Sequence, residues 1–407
     1  MTEGKRVLKR SKNKTTCFRK SVNVILMFVF IYPLQFTFFP LSTRYLLAIV
    51  GLILLITNKH LFSKYVSGVL RFVPILFFSV LTCLVNQTSD FGLWTTPIVY
   101  SLSFFSAVGV ISLTKTNNQE SFVDMFVMAV VIQMILHLIF FIFPEIEEMA
   151  NLVLASTELA QESMESSLGV RMRGLGSAFF GTGVVNSIAL ILISFFYSPS
   201  KKYHIIAYIL IIVIGVFASR TTLVGFLISF PLLLRRMRVP FRKVIVGACI
   251  FIFGISALAT ALKNSGEQKY VNLFNFGFAF INDYESSKKF NTEDIDALSY
   301  SGRLPDNIKT WIIGDGLLAD PQNPATAYYK HVDQGYLRCI FFYGLLGTIS
   351  LLIGYYLEVN RVVRYNRDKR FYILYFFYLV IMYKGLFDIF QYIIPFYLIK
   401  QAKPLES

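Results

Sequence analysis

Apolar runs of about 20 residues, the length that crosses a bilayer core as a helix, follow one another through this sequence from residue 22 to residue 400. No water inside hydrocarbon satisfies exposed backbone groups, so only helices or closed barrels can span it. The runs are continuous rather than alternating, which excludes a barrel. Their tandem arrangement excludes a soluble domain with a single anchor. The expected fold is an all-α polytopic integral membrane protein with about 12 transmembrane helices. Composition agrees: of 407 residues, 55% are hydrophobic and only 15% charged, against about 25% charged in ordinary soluble domains.

The expected spans are 22–40, 43–57, 67–85, 94–114, 122–143, 175–197, 205–219, 221–235, 244–262, 335–356, 371–387 and 388–400, within a single membrane domain, 1–407. The formal net charge of +15 follows the positive-inside pattern. Most of the 39 basic residues fall in the 1–20 tail, the 58–66 loop, Lys115, Lys201–Lys202, 235–243, 357–370 and the C-terminus. These segments are assigned to the cytoplasm, so both termini are cytoplasmic. Most of the 24 acids fall in the segments assigned outside. With no basic, aromatic-interleaved soluble domain, nucleic acid is not an expected partner. The basic N-terminal region is long and the first apolar run lacks a small-x-small site, unlike a cleavable signal.

Two outside segments are long. Residues 144–174 have helix-forming composition with an acidic face, and 263–333 form the largest loop. Within it, NLFNFGFAFIND is an expected amphipathic helix on the membrane surface, and DPQNP marks irregular loop. No internal repeat is legible. Cys17, Cys83, Cys249 and Cys339 have no CxxC spacing, so neither a zinc site nor a disulfide framework is expected. Walker A, HExxH and GxSxG patterns are absent as well, and no cofactor or metal is expected.

Arginine beside a membrane span is expensive and marks candidate function. Arg171 and Arg173 precede the sixth span, Arg220 sits between two apolar runs with almost no loop, Arg303 is in the large loop, and Arg338 is one turn into the tenth span. Such a group either grips an anionic ligand, because the planar guanidinium donates paired hydrogen bonds to phosphate, or pairs with loop acids and outer headgroups. His331 is the one histidine expected outside, with Asp333 two residues on. Either is a candidate general base; the plainer readings are a solvated loop histidine and a helix N-cap. His60 and His204 are placed in cytoplasmic loops and His137 inside the fifth span. GLGSAFFGTG (174–183) fits either close backbone approach at a ligand or small-residue helix packing. Lys384 and Asp388 are spaced to pair on one helix face.

The ordered motifs resemble the bacterial O-antigen and capsular polysaccharide polymerases, and more distantly the O-antigen ligases. They are Arg171-Met172-Arg173-Gly174, then Ala218-Ser219-Arg220-Thr221-Thr222, then Ser301-Gly302-Arg303 with Trp311-Ile312-Ile313-Gly314-Asp315-Gly316, and last His331-Val332-Asp333-Gln334-Gly335-Tyr336-Leu337 with Phe342-Tyr343-Gly344-Leu345-Leu346-Gly347. The matched segments lie between residues 168 and 350, and the first five spans match in hydropathy alone. The resemblance implies a glycosyltransferase of GT-C type in the bacterial inner membrane. It would act on undecaprenyl-diphosphate-linked oligosaccharide, with a chain-length regulator protein and membrane lipid as partners. It implies Arg171, Arg173 and Arg220 on the diphosphate, His331 or Asp333 near the acceptor hydroxyl, and Arg303 and Arg338 positioning saccharide or phosphate. His331 lacks the ligases' His-Asn pattern, which favours a polymerase. The alternatives are a ligase of the same superfamily and a lipid-linked oligosaccharide flippase. A flippase fits less well, because transporters commonly carry repeated halves and midplane charges.

Overall fold

The structure, a computed structural model, describes residues 18–39, 41–90, 95–154, 171–176, 179–238, 267–277, 304–322 and 328–399. These residues form an all-helical bundle without strands. Four helical stretches are long and apolar enough to cross a membrane: Lys59–Asn86, Thr96–Thr114, Gln119–Ile142 and Gly335–Asn366; Thr43–Thr57, Phe180–Phe196 and Tyr203–Ala218 are apolar but shorter. Among the described residues these seven helices account for part of the twelve expected crossings. The ninth expected span, 244–262, lies outside the described residues.

The first span is shorter than expected. Helix α1 covers 18–31 because Pro33 has no N–H to donate and disfavours helical backbone at the residue before it. The chain turns and enters α2 (Thr43–Thr57), where the Thr43 hydroxyl accepts from Leu34 N and donates to Val29 O. The expected 58–66 loop is helical instead. The Asn58 side-chain Oδ1 accepts from His60 N and Leu61 N and starts α3 (Lys59–Val69), as an N-cap does. A short 3-10 turn joins α3 to α4 (Val73–Asn86). Helix α5 (Thr96–Thr114) lies along α2, and α6 (Gln119–Ile142) leads into α7 (Pro144–Val153). The three glutamates of α7 accompany exposed Ile146, Met149 and Leu152, the pattern of a helix lying in a membrane interface.

Next come α8 (Phe179–Phe196), α9 (Tyr203–Ala218) and α10 (Thr221–Met237). His204 is not in a loop: it belongs to α9, is fully buried, and its Nε2 lies 3.1 Å from the Asp124 carboxylate. His60 likewise belongs to α3. Lys201, between α8 and α9, bonds the same carboxylate at 2.9 Å. Burial disfavours its charge, but Asp124 and Glu120 more than compensate and hold its pKa above the ordinary value.

Helix α11 (Gln268–Gly277) and the short α12 (Ile308–Ile312) precede α13 (Gly335–Asn366). Only the first half of the expected surface helix is described. It packs on α9, with Leu273, Phe274 and Phe276 buried. Helix α13 breaks at Gly344, whose φ of +70° is open to glycine. The break frees the carbonyls of Phe341 and Phe342, which accept from Asp315 N and Gly316 N. Gly314, at φ +87°, lets the chain pass against them. The segments 311–316 and 342–347, separate in sequence, are therefore one interlocked unit, pinned to α4 by Thr82 Oγ1 donating to Ile313 O and Asn86 Nδ2 donating to Gly314 O.

The last expected span is not a helix of that length. After α14 (Tyr372–Met382), residues 388–399 form two single turns, α15 (Phe390–Ile393) and α16 (Pro395–Leu398). Pro395 starts the second turn, where its missing N–H costs nothing. This broken segment is threaded through the core, with Phe390, Tyr392, Phe396 and Tyr397 all buried. A network fixes it: buried Glu358 pairs with Arg71 and, at 3.6 Å, with Arg361, and it accepts from the Tyr100 hydroxyl, which meets the Tyr397 hydroxyl at 3.1 Å.

Candidate functional site

A seam of small and hydroxyl-bearing residues sets the position of Arg220. Ser187 Oγ on α8 donates to Thr221 O, and Asn186 Nδ2 donates to Thr222 Oγ1. A side chain at Gly225 would strike Ser187, and one at Gly183 would strike Ser219 and Thr221. Such seams let membrane helices approach closely, and this settles the 174–183 glycine stretch toward packing at Gly183. Helices α9 and α10 are joined by Ser219 and Arg220 alone, with Leu223 N donating to Arg220 O. Arg220 is held at the apex of that turn.

Residues 171–176 lie against the same turn. Met172 N donates to Phe217 O at 3.1 Å. Gln133 Nε2, on α6, donates to Leu175 O, and the imidazole of buried His137 packs against Gly174. The Arg171 guanidinium then lies 4.4 Å from the centre of the Phe276 ring, and that of Arg220 lies 5.1 Å from the same centre. Two cations meet on one aromatic ring carried by α11. Lys269, two turns earlier on α11, donates to Phe141 O and lies 4.3 Å over the Phe141 ring. Phe141 is in the last turn of α6, where helix carbonyls favour cations. Arg173 takes a carboxylate partner, Glu147 of α7, at 3.1 Å.

Arg220 and Arg236 start and end the same helix, so about 24 Å separates them at 1.5 Å per residue. The Arg171–Arg220 group and the Arg235–Arg238 run therefore sit at opposite ends of the bundle. The partners across each end agree: Arg236 Nε donates to Tyr197 O and Arg370 Nη1 to Phe195 O at one end, while Thr37 N donates to Val153 O at the other.

The late loop brings His331 and Asp333 to the mouth of α13. Lys330 and His331 both have φ near +54° (55° and 53°), a left-handed conformation uncommon for such residues. Such strain costs about 1–3 kcal/mol per residue and gathers at functional sites. His331 Nε2 lies 3.8 Å from the Asp320 carboxylate, and Asp333 pairs with Arg338 at 2.9 Å. Both His331 and Asp333 side chains are 67% exposed. Arg338 also donates to Val332 O and lies 3.3 Å over the Tyr328 ring. The Tyr329 hydroxyl donates to Asp315; burial, then the Asp315 charge, pushes its pKa up to about 12. Asp90 accepts from Leu318 N and Ala319 N and ties this loop to the end of α4. The backbone of Asp333 and the Phe180 ring of α8 both lie beside Gly385, so the loop reaches the helix that carries the glycine seam.

Arg303 lies outside the described residues. Lys384 and Asp388 do not share a helix face, because α14 ends at Met382. The Asp388 carboxylate instead faces Arg44 of α2 at 3.9 Å, and the Lys384 ammonium lies 5.9 Å over the Phe180 ring. Among the described residues no cluster of three His, Cys, Asp or Glu side chains forms a metal site. The chain matches no protein family, no curated protein and no solved structure. Sequence reasoning missed Phe276, Lys269 and the Arg44–Asp388 pair. Phe276 reads in sequence as one of several aromatics on an amphipathic helix, and nothing local to it names its two arginines. Arg44 was the one legible signal, a cation within an apolar run.

Proposed function

We propose that this chain is a membrane polysaccharide polymerase. It would join undecaprenyl-diphosphate-linked oligosaccharide repeat units at the outer face of a bacterial inner membrane, with the Arg235–Arg238 end in the cytoplasm as the positive-inside rule requires. The observation that carries this reading is the meeting of Arg171 and Arg220 on the Phe276 ring, at the end of the bundle opposite the dense basic loops. Cations that persist at that end against the charge bias are well explained by an anionic substrate.

In the proposed reaction a sugar hydroxyl of one lipid-linked unit attacks the anomeric carbon of a second glycan. The new C–O glycosidic bond forms as the bond to the diphosphate oxygen breaks. The electron pair leaves on undecaprenyl diphosphate, and the hydroxyl proton passes to a base. Arg171 and Arg220 stabilise the charge that develops on the leaving diphosphate, as preorganised donors do, and Arg173 supports them from its Glu147 pair. His331, whose Nε2 faces Asp320, or Asp333, which Arg338 engages, is the candidate base. Arg338 then positions the acceptor side together with Arg303. The protein's remaining task is to hold two substrates in line.

Deletion followed by surface-glycan electrophoresis tests the reading. The expected result is loss of long chains with single repeat units still displayed. Loss of the single units as well would transfer the assignment to a flippase or a ligase.

A further inference from the structure

The opposite end of the bundle holds a cavity of about 1220 Å3 formed by the ends of α6, α8, α10, α13 and α14. Its rim carries Arg236, Arg238, Arg367 and Arg370 against the carboxylates of Glu120 and Asp368. Phe195, Phe196 and Phe371 also line it. Arg236 and Arg370 are braced by the carbonyls of Tyr197, just past α8, and Phe195 of α8, and Arg370 is further bonded to Asp368 at 2.7 Å. Arg238 and Arg367 occupy left-handed positions just past α10 and α13, with φ of 53° and 51°. Glycine or asparagine is the ordinary choice there, so the backbone does not account for arginine at either place. Helix C-termini do favour cations, but that accounts for one charge per helix rather than a shared cavity with a cationic rim.

A second, separate cavity of about 500 Å3 lies between α10 and α14. It is largely apolar, lined by Leu227, Ile228 and Leu232 of α10 and by Tyr372, Ile373 and Phe376 at the start of α14. Leu232 stands one helical turn before Arg236, and Tyr372 directly follows Phe371. An arginine-lined cavity at the bundle end and an apolar groove one helical turn away on α10 and α14 have the polarity of one amphiphile: an anionic head at the interface and a chain along the bundle side. Basic pockets between membrane helices are suited to anionic lipid headgroups.

We propose that this end binds one anionic phospholipid, with its phosphodiester among Arg236, Arg238, Arg367 and Arg370 and an acyl chain in the groove between α10 and α14. The site is separate from the Arg171–Arg220 group by the length of α10, and it stands whether or not the chain is a polymerase.

The test is a titration of the purified full chain in neutral detergent with phosphatidylglycerol, phosphatidylcholine or inorganic phosphate, read by native mass spectrometry and thermal shift. Phosphatidylglycerol should bind and raise the melting temperature, and the other two should not. At about fivefold in affinity per arginine, the Arg238→Ala/Arg367→Ala pair should weaken phosphatidylglycerol about 25-fold. The Arg238→Lys/Arg367→Lys pair should keep most of the binding and so controls for folding. Leu232→Trp should weaken binding by filling the groove while leaving every arginine in place. Equal binding of phosphatidylcholine, inorganic phosphate as tight as the lipid, or unchanged affinity in both the alanine pair and Leu232→Trp overturns the proposal.

Discussion

The backbone N–H of Met172 donates to the carbonyl oxygen of Phe217 at 3.1 Å, and through that bond the loop bearing Arg171 is fixed to the helix end bearing Arg220. If both arginines grip one diphosphate, they act as a unit and their losses are not additive. Arg171→Ala and Arg220→Ala should each slow chain extension by about 10²–10³-fold, and the double variant should be little worse than the poorer single one. Arg220→Lys should fall between, because lysine keeps the charge and loses the fork. Extension of purified lipid-linked units, followed by electrophoresis, reads all four proteins. Single-variant effects that multiply would assign the two arginines to separate tasks.

The glycine seam makes a stability prediction independent of chemistry. A side chain at Gly225 meets Ser187 on α8, and overpacking a close helix contact costs about 1–3 kcal/mol. Gly225→Val should lower the melting temperature of the detergent-solubilised protein, with Gly225→Ala milder. An unchanged melting temperature in Gly225→Val would mean that α8 and α10 are not in contact there.

Glu358 is the shared anion of Arg71 and Arg361 and has no exposed surface. Removing one partner of a buried pair costs about 3–5 kcal/mol, because the other is left uncompensated. Arg71 and Arg361 keep some exposure, 21% and 15%, so Glu358→Ala should fall near the lower bound. Because Tyr397 belongs to the same network, the loss should free the 388–399 segment. Faster hydrogen exchange at Tyr392–Leu398 would register that release, and unchanged exchange would rule the network out as its anchor.

Tyr329 predicts an alkaline signature. Its pKa is raised in the folded chain to about 12, by burial first and the Asp315 charge second, from the ordinary 10.0. The neutral phenol is therefore favoured by folding. Its contribution is complete below pH 10 and is lost as pH rises through 12. Thermal stability of the protein should fall more steeply than that of Tyr329→Phe across this window and run parallel below it. Parallel curves throughout would mean that neither burial nor Asp315 raises the Tyr329 phenol.

Hydropathy alone determined that the chain is a bundle of apolar helices, because hydrocarbon leaves the backbone no other partner. The bounds of α2, α5, α6, α9 and α10 follow the apolar runs closely. Local chemistry also set some helix edges, as at Pro33 and Asn58, though their effect was missed when hydropathy was read by itself. The motif residues Arg171, Arg220, Gly314 and Gly344 stood out individually, and their pairing did not. That Arg171 and Arg220 meet on Phe276, that Gly314 nests against the break at Gly344, that Asp388 turns to Arg44, and that 388–399 threads the core as broken turns were decided by tertiary structure. Each depends on contacts between segments far apart in the chain. A lipid-facing helix and a core-facing helix have the same apolar composition, so no periodicity in either one names its neighbour.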